Sequence, residues 1–336
     1  MITKRIVENQ NDEIIGDLLE FRALIAGPEG LDMMDIQRDI DIEIADTEET
    51  GVGIEEDVAE NAFIHINQVL QTRSERVGED NYPFSLSENG SRFTLKPELS
   101  NSGYIYLFCL LLSHPKEDEV LTGDYLPVIS DSERRLFQSC STVAAAGLIA
   151  GNAISFGFPR PDGSGFYDKL REVYRLIGDG EIRDNPIAGV SRDIKDYEID
   201  IIAWLYRQDA AALERYFLAQ VASGNNWAKK ELSHDVIDRF HKFFFSIIPN
   251  KEYERGIFIP FLFDYEPRTS FDEQIKIYEN IYGKFQYRFS IPRHFSKGFE
   301  LSKSGELLNI DGVNDYEAIK LWVCNEIIKI QEMILT

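Results

Sequence analysis

The sequence predicts an α/β protein built on a mixed central sheet flanked by helices, with helical additions at both ends. Three observations predict it. Largely apolar runs at 199–206, 215–222 and 256–263 have the length and continuity of strands buried on both faces. Segments with an apolar residue every three or four positions, at 131–150, 166–177 and 226–245, interleave with those runs as covering helices do. The same helical period recurs outside this middle third, at 9–26, 58–76, 270–283 and 315–335. With 336 residues, more than one folding unit is expected. The expected organisation is an N-terminal α+β accessory region (1–130), an α/β core (131–265) and a mostly helical C-terminal region (266–336).

Along the chain, 9–26 and 58–76 read as amphipathic helices. Between them Ile40, Ile42 and Ile44 alternate with Asp39, Asp41 and Glu43, the period of a half-buried strand. Residues 79–103 are rich in Gly, Asn, Pro and Ser and read as loop and short strand, and 104–113 is an apolar strand or helix. Ser130 to Ser132 can cap the helix that follows, whose Ala-rich middle suits close packing. A strand at 153–158 is broken by Pro159 to Gly165, and the helix at 166–177 ends at Gly178. Residues 179–196 look like loop. Strands at 199–206 and 215–222 are joined by a short connection, and the Ser223-Gly224-Asn225 turn leads into the helix expected at 226–245.

Composition narrows the function. The three cysteines, Cys109, Cys140 and Cys324, are far apart and set in apolar surroundings, so neither a disulfide framework nor a zinc site is expected, and a reducing, cytoplasmic setting fits. Met1 to Arg5 runs into acidic sequence with no apolar core of a signal peptide. The longest apolar stretch, 104–112, is far short of the ~20 residues that span a bilayer. The formal charge of −23 argues against a protein that is cationic all over; DNA would have to meet a local cationic face. Much of the acidity lies between Asp32 and Glu60, where Arg38 is the sole cation. That balance also suits docking onto a basic protein partner.

Most catalytic signatures are missing. The sequence has no Gly-x-Gly-x-x-Gly string, no P-loop, no Gly-x-Ser-x-Gly elbow and no His-Glu-x-x-His pair. Asp39, Asp41 and Glu43 are followed by Ile44, where a calcium loop needs glycine. The five histidines show no ligand spacing; His234 and His241, seven apart, share a helix face expected to pack. Arg160 is expected as an exposed turn arginine, and Trp204 and Trp227 as core.

What stands out is an acid inside an apolar strand, Glu198-Ile199-Asp200-Ile201-Ile202-Ala203-Trp204, followed one strand later by Gln220-Val221-Ala222. An unpaired buried carboxylate is costly, which favours a ligand or ion-pair role for Asp200. By the period of two, Gln220 and Ala222 share one face. This pattern resembles the PD-(D/E)XK superfamily of restriction-endonuclease-like nucleases over residues 131–245. The strings Phe156-Gly157-Phe158-Pro159-Arg160, Ile199 to Trp204 and Ala219 to Trp227 are similar to a bacterial family of nuclease-like proteins from phage-defence and restriction settings. The resemblance implies metal-dependent DNA cleavage with Mg2+ (or Mn2+) on Asp200 and the Val221 carbonyl, Gln220 assisting, and Gln138 in the slot of the early-helix acid. Ala222 fills the slot of the motif lysine, so Lys229 or Lys230 is expected to substitute. The alternative is a catalytically degenerate fold serving as a DNA-sensing or adaptor subunit of a defence complex, in keeping with the missing lysine and the net acidity.

Overall fold

A computed structural model of the chain describes residues 11–45, 52–115, 120–121, 125–160, 162–185, 187, 190, 195–263, 269–305 and 307–332. These fall into two compact units, one of 1–130, 261–264 and 318–336, the other of 131–260 and 265–317. Among the described residues no helix is long and apolar enough to cross a membrane.

The first unit opens with α1 (Asp12–Ala26), which Asn11 caps by accepting from the Glu13 N–H at 2.9 Å. Leu31–Asp32 (β1) leads into α2 (Met33–Ala45), and α3 (Val52–Val77) follows. The half-buried strand expected around Ile40 is instead the end of α2. Ile36, Ile40 and Ile44, four apart, are buried, whereas Ile42 is 54% exposed. The period that decides is the one begun at Met33 and Ile36, and the alternation at 40–44 is incidental. Strands β2 (Phe84–Leu86) and β3 (Arg92–Leu95) complete a small antiparallel sheet of order β1-β3-β2. The apolar stretch after it is a helix, α4 (Asn101–Ser113), capped by Ser100 and buried almost throughout. At the unit's centre Arg73, 2% exposed, bonds Asp17 at 2.7 Å, Glu20 at 2.9 Å and Glu13 at 3.1 Å. Gly16 makes room for it, since a Cβ there would lie 2.0 Å from the Arg73 Nε. Tyr82 and Tyr106 each donate to Glu20 at 2.7 Å, and His114 meets Asp17 at 2.7 Å.

The second unit holds α5 (Asp131–Ile149), β4 (Asn152–Ser155), α6 (Phe166–Ile177), β5 (Glu181–Ile182), β6 (Ile201–Tyr206) and β7 (Leu213–Val221). It continues with α7 (His234–Phe244), β8 (Phe245–Ile247), β9 (Glu254–Phe258), α8 (Phe271–Tyr282), β10 (Lys284–Gln286) and α9 (Ile291–Leu301). Five strands form one mixed sheet of order β10-β9-β7-β6-β4, antiparallel from β4 through β7 and parallel from β7 through β10. The four sheet strands expected from the sequence are neighbours in it, and β10, which was not expected, adds a fifth within the supposedly helical C-terminal region. Ile310 bridges Ala153 in parallel and covers the β4 edge. Strands β5 and β8 pair separately. On one face Ile202, Trp204, Tyr216 and Leu218 pack with Leu170 and Val173 of α6 and with Ile237 and Phe240 of α7. Helix α5 lies along β4, β6 and β7, and α9 packs on α5. The two helices touch through glycines: a Cβ on Gly147 would lie 1.9 Å from the His294 carbonyl oxygen, and one on Gly298 would lie 2.0 Å from that of Val143.

Two expectations in this unit need correction. The helix expected at 226–245 begins only at His234, where the Ser233 hydroxyl accepts from the Val236 N–H. Trp227–Lys229 is a single 3-10 turn, so both candidate lysines lie outside the helix. Arg160 is not exposed. It is 6% accessible, sits 5.0 Å over the Phe156 ring, and donates to the Ser164 carbonyl at 3.3 Å and to that of Lys195. Closing α10 (Tyr316–Glu332) matches the amphipathic helix expected at the end of the chain, and within the first unit its Trp322 meets Phe108 edge-on at 5.4 Å.

Candidate functional site

The site grows from a kink before β6. Tyr197 and Glu198 take positive φ values of 56° and 65°, a conformation that side chains disfavour and that surrounding bonds must hold. Asp196 supplies them: one of its oxygens accepts from the Glu198 N–H at 3.0 Å, the other from that of Phe158 at 3.3 Å. Past the kink, the Asp200 N–H donates to the Ala219 carbonyl at 2.9 Å, and its own carbonyl accepts from both Phe156, at 2.7 Å, and Gly157, at 3.0 Å. Strand β4 therefore ends its regular pairing at Ser155, and Gly157 is left under the Asp200 side chain. The reason for a glycine is direct. A Cβ at 157 would lie 2.4 Å from the Asp200 Oδ1 and 2.6 Å from the Gln138 Nε2.

Asp200 and Gln138 thus both border the space that a Cβ on Gly157 would fill. The Asp200 Oδ2 accepts from the Val221 N–H at 2.8 Å, the Lys230 ammonium donates to the Val221 carbonyl at 3.4 Å, and the Gln138 amide donates to the Ser155 hydroxyl at 2.7 Å. Asp200 keeps some exposure as a residue, yet its carboxyl is surrounded closely enough that burial dominates its titration. Burial pushes it up to about 7, with the nearby Asp196 charge in the same direction, against the Val221 N–H and the Lys230 charge, which pull it down. Arg134 reaches in from α5, its Nη1 3.8 Å from where a Cβ on Gly224 would be.

Gln220 is 5% exposed with its Oε1 unpartnered, and by strand alternation it shares the face of Tyr216 and Leu218 under α6 and α7. Lys229 is exposed in the 3-10 turn. Trp204 is fully buried, and Trp227 packs at 5.4 Å from Tyr278 and 5.8 Å from Phe285. His241 lies against Tyr216 at 3.2 Å, where burial lowers its titration to about 4 and keeps it neutral at ordinary pH. Sequence reasoning missed Asp196, although an Asp two residues before a Glu at the head of an apolar strand is a turn signal. It also missed the meaning of Gly157, which only the approach of α5 gives.

Among the described residues no three His, Cys, Asp or Glu side chains cluster as a metal site. The groups that could hold a divalent ion are fewer: the Asp200 carboxylate, one oxygen of which accepts from the Val221 N–H, and the Val221 carbonyl, which the Lys230 ammonium contacts at 3.4 Å and would have to release. Mg2+ typically uses one or two carboxylates together with substrate phosphates and water. Comparison of the chain with family models, with curated proteins and with solved structures found no match.

Proposed function

We propose that this chain is a nuclease-like protein of the PD-(D/E)XK type, a divalent-metal-dependent DNA endonuclease of bacterial phage defence or restriction. The observation that carries the reading is Lys230. Ala222 fills the strand position where the motif lysine is expected, and the loop after β7 returns the Lys230 ammonium to the Val221 carbonyl, one residue earlier and beside Asp200. A cation is thus restored next to the carboxylate from a different place in the chain. The order helix, strand, helix, strand, strand, helix, strand, given by α5, β4, α6, β6, β7, α7 and β9 with these four strands in one mixed sheet, supports the same reading.

In this reading Asp200 and the Val221 carbonyl hold Mg2+ or Mn2+, which when bound acts as a Lewis acid on the scissile phosphate. Lys230 offsets negative charge developing beside Asp200 and orients water there. Gln138 lines the site from the α5 side, its amide held on the Ser155 hydroxyl. Gln220, buried with its Oε1 unpartnered and on the face that Asp200 shares by strand alternation, assists from the neighbouring strand. Purified protein incubated with plasmid DNA and Mg2+ or Mn2+ is expected to cleave. Asp200→Ala is expected to abolish cleavage, and Lys230→Ala to lower the rate by about 100-fold, the scale of one positioned catalytic group. Cleavage that persists at full rate in Asp200→Ala would refute the assignment. The adaptor reading is favoured by one carboxylate standing where more charged ligands are usual, and by the charge of −23. It expects no cleavage by the chain alone or with its partner proteins.

A further inference from the structure

Beside Asp200 the second unit has a half-open cleft of about 260 Å³ that the proposed chemistry leaves unused. It is lined by the polar groups Gln138, Ser139, Ser155 and Asp315, by the apolar Leu136 and Pro159, and by the exposed Arg135. Gln138 belongs to this lining and also borders the space over Gly157 that the Asp200 carboxylate borders, which places the cleft on the Asp200 side of α5. The lining is fixed in place. Ser139 donates to Asp315 at 2.6 Å, Gln138 donates to Ser155 at 2.7 Å, and the turn carrying Asp315 is pressed onto α5 at Gly312, where a Cβ would lie 2.7 Å from the Ser139 carbonyl oxygen.

We propose that this cleft takes one nucleotide of the DNA strand, with the phosphate on Arg135 and a base carrying an exocyclic amine against Asp315. Size sets the first limit. The volume is below the range of drug-sized pockets, so one small ring system fits and an oligomer does not. Chemistry sets the second. Leu136 and Pro159 offer apolar contact to a flat ring, Arg135 offers the fork that phosphate prefers, and the Asp315 carboxylate accepts and cannot donate. Adenine, cytosine and guanine present an amine to such a group; thymine presents none. The idea rests on the nuclease-like reading for the source of the nucleotide, but the recognition itself does not depend on cleavage.

The test titrates the whole chain with dAMP, dCMP, dGMP and dTMP, followed by calorimetry and by NMR, without metal. The three amine-bearing nucleotides are expected to bind, with dTMP weaker by about fivefold or more. Arg135→Ala, a change at an exposed position, is expected to weaken binding about tenfold, the worth of one charge-assisted contact. Asp315→Asn, whose amide can also donate, is expected to remove the bias against dTMP. Binding without cleavage would sink the endonuclease reading and keep the cleft; cleavage without mononucleotide binding would do the reverse. Equal binding of all four, or binding indifferent to Arg135→Ala, would overturn the proposal.

Discussion

Asp200 is the residue on which most depends, and its environment gives it a pH signature. Its carboxyl titrates near 7 in the fold, against about 4 in an unfolded chain. Between those values the folded protein keeps a proton that the unfolded chain has lost. This residue's contribution therefore makes stability fall as pH rises from about 4 to about 7, after which it is flat. Asp200→Asn, which cannot ionise, is expected to be more stable than the parent at pH 8 by at least about 1 kcal/mol, since each unit of upward displacement costs the charged form ~1.4 kcal/mol. Denaturant unfolding at pH 8 and pH 4 checks this, and the gain should vanish at the lower pH. Cation binding needs the charged form, so Mn2+ affinity measured by calorimetry should rise with pH up to about 7. That Asp200 is special was legible in the sequence, because a carboxylate in an apolar strand has few inexpensive explanations. Which lysine stands beside it was not legible. That depends on where α7 starts, which the Ser233 cap decides, and a periodic pattern running through 226–245 conceals the cap.

At the scale of elements, period and sheet order were readable wherever one pattern dominated, as in α5, α6, β6 and β7. They were unreadable where two patterns overlapped. In α2 a short alternation of isoleucines masks a helical stripe. Helix α9 is masked by Pro292 at its start and Gly298 within it, residues that usually mark a break. Gly298 has a specific use, because it lets the backbone of α9 touch α5 opposite Gly147. An alanine at 147 would put a Cβ 1.9 Å from the His294 carbonyl oxygen, backbone that cannot swing aside. Gly147→Ala is expected to cost about 2 kcal/mol, as overpacking of a close contact does. Gly298→Ala should cost a similar amount. The double variant should cost less than the sum, because the helices need to part only once. Urea unfolding of the three variants measures this, and a cost within ±0.5 kcal/mol of zero for both single variants would mean that the helices have room to shift.

On the scale of the whole molecule, polar interiors and net charge decide what the chain can bind. The core of the first unit contains three carboxylates around Arg73. Removing the cation while keeping its volume, as in Arg73→Met, should cost roughly 3–5 kcal/mol because it strands buried negative charge, and a thermal melt would register it as loss of that unit. No sequence pattern marks this network, since its members are drawn from α1, α3 and α4 and from the loop before β2. The charge of −23, by contrast, is plain from composition, and it sets the last expectation. Suppose that DNA meets this chain at the candidate site through three cations, Arg134 and Arg135 of α5 and Lys230 after β7, all exposed. Each phosphate neutralised releases counterions worth a slope of about −0.9 in log affinity against log salt. Three such contacts give a slope no steeper than about −3, shallow beside that of broadly cationic DNA-binding proteins. Repulsion from the acidic remainder is screened as salt rises, which makes the slope shallower still. Fluorescence anisotropy of a labelled duplex over a salt series reads this value. The Arg134→Ala, Arg135→Ala double variant should bring it to about −1. A much steeper slope, or one that the double variant leaves unchanged, would mean that the DNA lies on some other face of the molecule.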